Sequence, residues 1–99
     1  MRRSATAARR AYVVDHYRPG RGGDELRQEA ERLRDAVVDL GRAGNAITWL
    51  SSNVMPDDDY FQSVLEATSE RLVREAHALA GVSLERISVA IPICEVNER

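Results

Sequence analysis

Apolar positions recur with period two at the start of the chain and switch to a helical period after residue 23. Ala11 to Arg18 holds the β-formers Tyr12, Val13, Val14 and Tyr17, and Pro19 with Gly20 ends the run, so a strand followed by a turn is expected. Leu26, Ala30, Leu33, Val37 and Leu40 then form one apolar face of an amphipathic helix. Asp24 and Glu25 fall in its first turn, where the helix dipole favours negative charge, and Gly41 and Gly44 offer left-handed stops. β character returns from Asn45 to Met55 through Ile47, Thr48, Trp49, Leu50 and Val54. Pro56 to Asp59 reads as a tight turn, and Tyr60 to Glu66 as a third strand closing a hairpin. Thr68 or Ser69 can cap a second helix with Leu72, Val73, Ala76, Leu79 and Ala80 on its apolar face, ended by Gly81. In the last segment Ile87, Val89, Ile91 and Ile93 alternate with Ser88, Ala90 and Pro92, and a proline without an amide donor suits an edge strand.

This order predicts an α+β, ferredoxin-like β-α-β-β-α-β sandwich, in which two helices cover one face of a four-stranded antiparallel sheet. The expected organisation is a disordered basic tail over 1–10, the domain over 11–95 and a short tail over 96–99. Two helices shield one sheet face only. Tyr12, Val14, Trp49, Tyr60, Gln62 and Val64, or their strand alternates, are left for the other, an apolar patch that water does not tolerate well. A second copy would cover it, giving a homodimer with dimeric α/β-barrel-like pairing. Tyr12, Tyr17, Trp49 and Gln62 are the expected lining of a ligand pocket on the sheet.

Composition narrows the function more than it names it. With 99 residues the chain has room for one core, and a domain this small leaves much surface exposed. All the basic residues are arginines, spread along the chain, and the net charge of −2 gives no overall field for nucleic acid. Tyr60-Phe-Gln-Ser-Val64 also lacks the basic and aromatic pattern of an RNA-binding sheet. No apolar run reaches the ~20 residues of a membrane span, and the arginine-rich start lacks a secretory apolar stretch, so a cytoplasmic protein is expected. Cys94 is the single cysteine, which excludes an internal disulfide and a cysteine-rich zinc site.

Few side chains offer chemistry. His16 follows Asp15 in a strand, so the two point to opposite faces and cannot form a dyad in one pocket. His77 lies four residues after Val73, at the border of the apolar stripe, where a histidine ordinarily serves the core. Asp57, Asp58 and Asp59 lack the alternation and glycine of a calcium loop. Gly20, Gly22 and Gly23 precede a helix without the lysine or spacing of a phosphate-binding loop.

Several of these stretches together resemble a known family. Tyr12-Val-Val-Asp-His-Tyr-Arg-Pro-Gly20, the helix start Asp24-Glu-Leu, Phe61 to Glu66, and Glu75-Ala-His-Ala-Leu-Ala-Gly81 with Leu84-Glu-Arg-Ile87 follow its layout. It is a family of small bacterial ferredoxin-like proteins of mostly unknown function that includes a homodimeric nickel-binding protein. The resemblance spans roughly residues 12–93 and implies the same fold and a homodimer. It also implies a divalent transition metal, nickel or another, on His77 and His16. The nickel-binding members carry a cysteine in strand three and are richer in histidine, whereas this chain has Gln62-Ser-Val64 in strand three and Trp49 rather than a histidine in strand two. The expected function is thus a small ligand- or metal-binding homodimer. The alternative is a cofactor-free enzyme of the dimeric α/β-barrel kind, a small oxygenase or isomerase with His16 as general base.

Overall fold

A computed structural model describes residues 8–93 of the protein. The elements run β1 (Arg10–Tyr17), α1 (Gly23–Arg42), β2 (Ile47–Met55), a 3-10 turn (Pro56–Asp58), β3 (Tyr60–Ala67), α2 (Glu70–Ala80) and β4 (Arg86–Ala90). The strands form one antiparallel sheet in the order β2-β3-β1-β4. With both helices packed on one side, this is the ferredoxin-like α+β arrangement that the sequence pattern predicts.

The local signals act where expected. Ser69 caps α2 by accepting a bond from the Leu72 amide at 3.3 Å, and Gly81 ends that helix in the left-handed region. Asp59 adopts the same region between the 3-10 turn and β3, a conformation that a short polar side chain tolerates. All five apolar positions of the α1 stripe are buried: Leu33, Val37 and Leu40 cluster with Tyr12, Val14, Ile47 and Leu65 of the sheet, and Leu26 and Ala30 with Phe61 and Val82.

Four boundaries or orientations differ from the sequence reading. Arg10 belongs to β1, paired with Ala67, and Arg9 bonds to the hydroxyl of Thr48, so the tail boundary at residue 10 falls too late; residues 1–7 lie outside the described set. β4 stops at Ala90, which pairs with Ala11, and Ile91 and Ile93 stand exposed. On α2 the buried stripe is Val73, Ala76 and His77, while Leu79 points to solvent.

The fourth difference is the largest, and it concerns the sheet faces. Tyr12 and Val14 are buried under the helices, and Trp49, which pairs with buried Leu65, shares that side. A bulge between Trp49 and Ser51 puts Leu50 in as an extra residue. An extra residue reverses the alternation downstream of it. Ser52 and Val54 therefore join Ile47 and Trp49 on the helix side, opposite Ser63 and Phe61. The open face carries Val13, Asp15, Tyr17, Tyr60, Gln62, Val64 and Glu66, which is more polar than expected. The four residues expected to line one pocket are thus divided: Tyr12 and Trp49 lie on the helix side, Tyr17 and Gln62 on the open side.

Candidate functional site

Strand alternation sends His16 beneath the helices, and the helical step from Val73 turns His77 toward it. Both are buried, His16 completely. His16 stacks on Phe61 with ring centroids 4.0 Å apart and planes 5° from parallel. Its Nδ1–H donates to the Phe61 carbonyl at 3.1 Å, and the Nδ1–H of His77 donates to the Val73 carbonyl at 2.8 Å. A carbonyl oxygen can only accept, so these bonds fix both tautomers and leave both Nε2 atoms bare. The bare nitrogens lie 2.8 Å apart. The ring centroids are 5.0 Å apart with planes 19° from parallel, so the nitrogens meet head on.

The gap between them fits one proton. Three contacts would need three N–H protons, and two neutral rings bring two. Burial opposes the third. The His16 pKa falls to about 3, through burial first, then the neighbouring His77; the Arg18 guanidinium lowers it further. His77 is lowered as well, by burial and then by Arg18 and Arg74.

The pair does not suit a metal ion as it stands. A bond from imidazole to a divalent ion is about 2.0–2.1 Å, and ligand lone pairs must converge on a third point rather than on each other. Among the described residues, no group of three or more His, Cys, Asp or Glu side chains gathers to hold an ion. Cys94 lies outside the described residues. His16 is equally unsuited to act as a general base on a substrate, since solvent does not reach it and its proton affinity is depressed.

Beside the histidines runs a charged clamp. Arg18, nearly buried at the end of β1, donates Nε–H to Glu29 of α1 at 2.9 Å and bonds the carbonyls of Tyr17 and Ser83 and the carboxylate of Glu85. Arg21 pairs with the other oxygen of Glu29. One guanidinium thus ties β1 and α1 to the loop that precedes β4. On the open face, Tyr60 donates its hydroxyl to Asp15 and accepts from Gln62 at 3.3 Å. Burial and the Asp15 carboxylate hold the Tyr60 pKa above its ordinary value.

The concave surface of interest lies at the β2 edge, where α1 crosses the sheet. Two grooves of about 370 and 280 Å3 meet at Trp49. One is bordered by Arg9, Arg42 and Thr48, the other by Arg27, Glu31, Arg34 and Ser52, with Ala30 and Val54 as apolar floor. Trp49 donates its indole N–H to Ser52 Oγ at 3.1 Å, and Ser52 Oγ lies 2.7 Å from Ser63 Oγ. Ser63 is fully buried, and among the described residues Ser52 is its one side-chain partner. A buried hydroxyl proton needs an acceptor, so Ser63 donates to Ser52. Ser52 Oγ then accepts two bonds, its own O–H has no acceptor among the described residues, and Ser52 lines one of the grooves.

Of the expected site residues, the structure brings His16 and His77 together and places Trp49 at a groove. The hydroxyl relay and the arginines were not singled out from the sequence. Arg27, Arg34 and Arg42 recur at seven and eight residues on α1, a helical-face spacing that would have marked them.

No protein-family model matches the chain, and no curated protein matches it. Among solved structures, the crystal structure of SCO4226 from Streptomyces coelicolor A3(2) is similar, with a TM-score of 0.62 over 86% of this chain and 99% of that one. The two share 19% sequence identity, so the likeness concerns the fold alone.

Proposed function

We propose that this chain is a small-molecule-binding protein that works as a homodimer, with its ligand held against Trp49 in the trough between α1 and β2. The observation that carries this reading is the pair of grooves meeting at an indole whose N–H is already satisfied by a serine relay. Small-ligand sites combine apolar and aromatic walls with a few fixed polar groups, and the trough offers both. Nickel, or another divalent metal on His16 and His77, is the weaker reading because their lone pairs meet each other.

Trp49 is the only tryptophan, so its fluorescence reports on the trough directly. In a titration with small aromatic compounds that are neutral, cationic and anionic, at least one charge class is expected to shift the emission saturably. A flat response to all three at millimolar concentration would end this reading.

The dimer would use the open face, which leaves the trough free. Val13 and Val64 pair across β1 and β3 at the middle of that face, with Asp15, Gln62 and Glu66 beside them. Two such faces stacked about a two-fold axis would cover the valines and set polar groups against polar groups. Light scattering at micromolar concentration should give twice the chain mass, and Val64→Arg should return it to the monomer. A wild-type monomer under those conditions counts against the pairing.

A further inference from the structure

We propose that the trough is a site for a small organic carboxylate with an apolar body, such as an aromatic acid. This inference rests on the ligand-binding reading above and adds the chemical class. Three observations point to a carboxylate. With buried Ser63 assigned as the donor of their shared bond, the Ser52 O–H has no acceptor among the described residues, and Ser52 lines the groove. A group that accepts hydrogen bonds is therefore what the relay can recognise, and a charged acceptor makes the stronger bond.

Charge is the second observation. The chain as a whole carries −2, yet the two grooves are bordered by Arg9, Arg27, Arg34 and Arg42 against the single carboxylate of Glu31. Arg27 and Arg34 do have acidic neighbours, Asp24 at 3.5 Å and Asp35 at 3.1 Å, but both pairs are exposed and exchange readily with another anion. The third observation is the floor. Trp49, Ala30 and Val54 give a narrow apolar surface beside the hydroxyl, so a flat ring can lie on them while its carboxylate reaches Ser52 and Arg34. Glu31 works against any anion, and this opposition supplies a test.

Benzoate is the probe, with benzamide as its neutral counterpart of the same shape. Benzoate should change Trp49 emission saturably, bind at least ten times more tightly than benzamide, and weaken as salt rises. Ser52→Ala and Arg34→Gln should each weaken benzoate by about ten-fold, the effect of losing one charge-assisted bond. Ser52→Thr keeps the hydroxyl and should keep most of the affinity. Glu31→Gln should tighten binding several-fold. Arg34 and Glu31 are surface positions, so their substitution leaves the fold out of the question even if Ser52→Ala disturbs it. Equal affinity for benzoate and benzamide would overturn the carboxylate assignment while leaving the trough a ligand site. Loss of emission changes with every aromatic compound would remove the ligand reading itself.

Discussion

Arg18→Ala should cost about 3–5 kcal/mol of stability, read from denaturant unfolding at neutral pH. The side chain is nearly enclosed, and its bonds go to Glu29, Glu85 and the carbonyls of Tyr17 and Ser83. Removing it leaves the carboxylate of Glu29, itself buried, with Arg21 alone, and Arg21 is half exposed. Breaking a buried pair by deleting one partner is expensive because the charge left behind has lost its water and its counter-ion. Two carbonyls lose a donor as well. Glu29→Gln keeps the shape and one acceptor, so it should cost markedly less. A loss below about 1 kcal/mol for Arg18→Ala would show that the clamp is solvated and contributes as a surface pair does.

That clamp was invisible in the sequence, although its members are charged and its effect is large. Arg18 stands beside Pro19 and Gly20, where a solvent-facing turn residue is the ordinary expectation. Glu29 lies next to Ala30 on the buried stripe, at a position that reads as its polar border. Only the approach of the Ser83–Glu85 loop encloses them, and no local pattern encodes that approach. The strands and helices were legible because each is a local alternation or a local stripe. Alternation was legible on β1, β3 and β4, where it runs unbroken, but not which side meets the helices: Tyr12 and Val14, named for the open face, lie beneath them. On β2 the reading failed at one residue: with Leu50 bulged, Ser52 moves to the core side and meets Ser63. The trough follows from that shift. Without the bulge Ser51 would stand opposite Ser63 and Asn53 opposite Phe61, and neither Ser52 nor Val54 would line the groove. Trp49 was a fair expectation as a ligand residue for its aromatic character, but its partners depended on a register that the sequence does not spell out.

His16 and His77 are a different case, since both were named from the sequence and their meeting was not. They lie on separate elements, 61 positions apart, and each alone reads as an ordinary core-edge histidine. The fold joins them, and acid should reveal it. In the folded protein both imidazoles resist protonation, His16 down to about pH 3, because burial strips the charged form of water and Arg18 lies close to both; Arg74 adds to this at His77. The unfolded chain binds a proton on each near pH 6.5. Where the unfolded state holds more protons than the folded one, stability rises with pH. The contribution is therefore complete above about pH 6.5 and is lost as pH falls toward the folded pKa. Each histidine that remains neutral costs about 1.4 kcal/mol per pH unit below 6.5, so unfolding free energy should drop by about 2–4 kcal/mol between pH 6.5 and 5. Carboxylates titrate mostly below that window. The double variant His16→Leu with His77→Leu should flatten the slope, whatever it does to stability at pH 7. A slope unchanged by the double substitution would place the acid sensitivity elsewhere. A wild-type slope above pH 5 of about half that size would mean that the two Nε2 atoms take up one shared proton in the folded state, against the cost of burial.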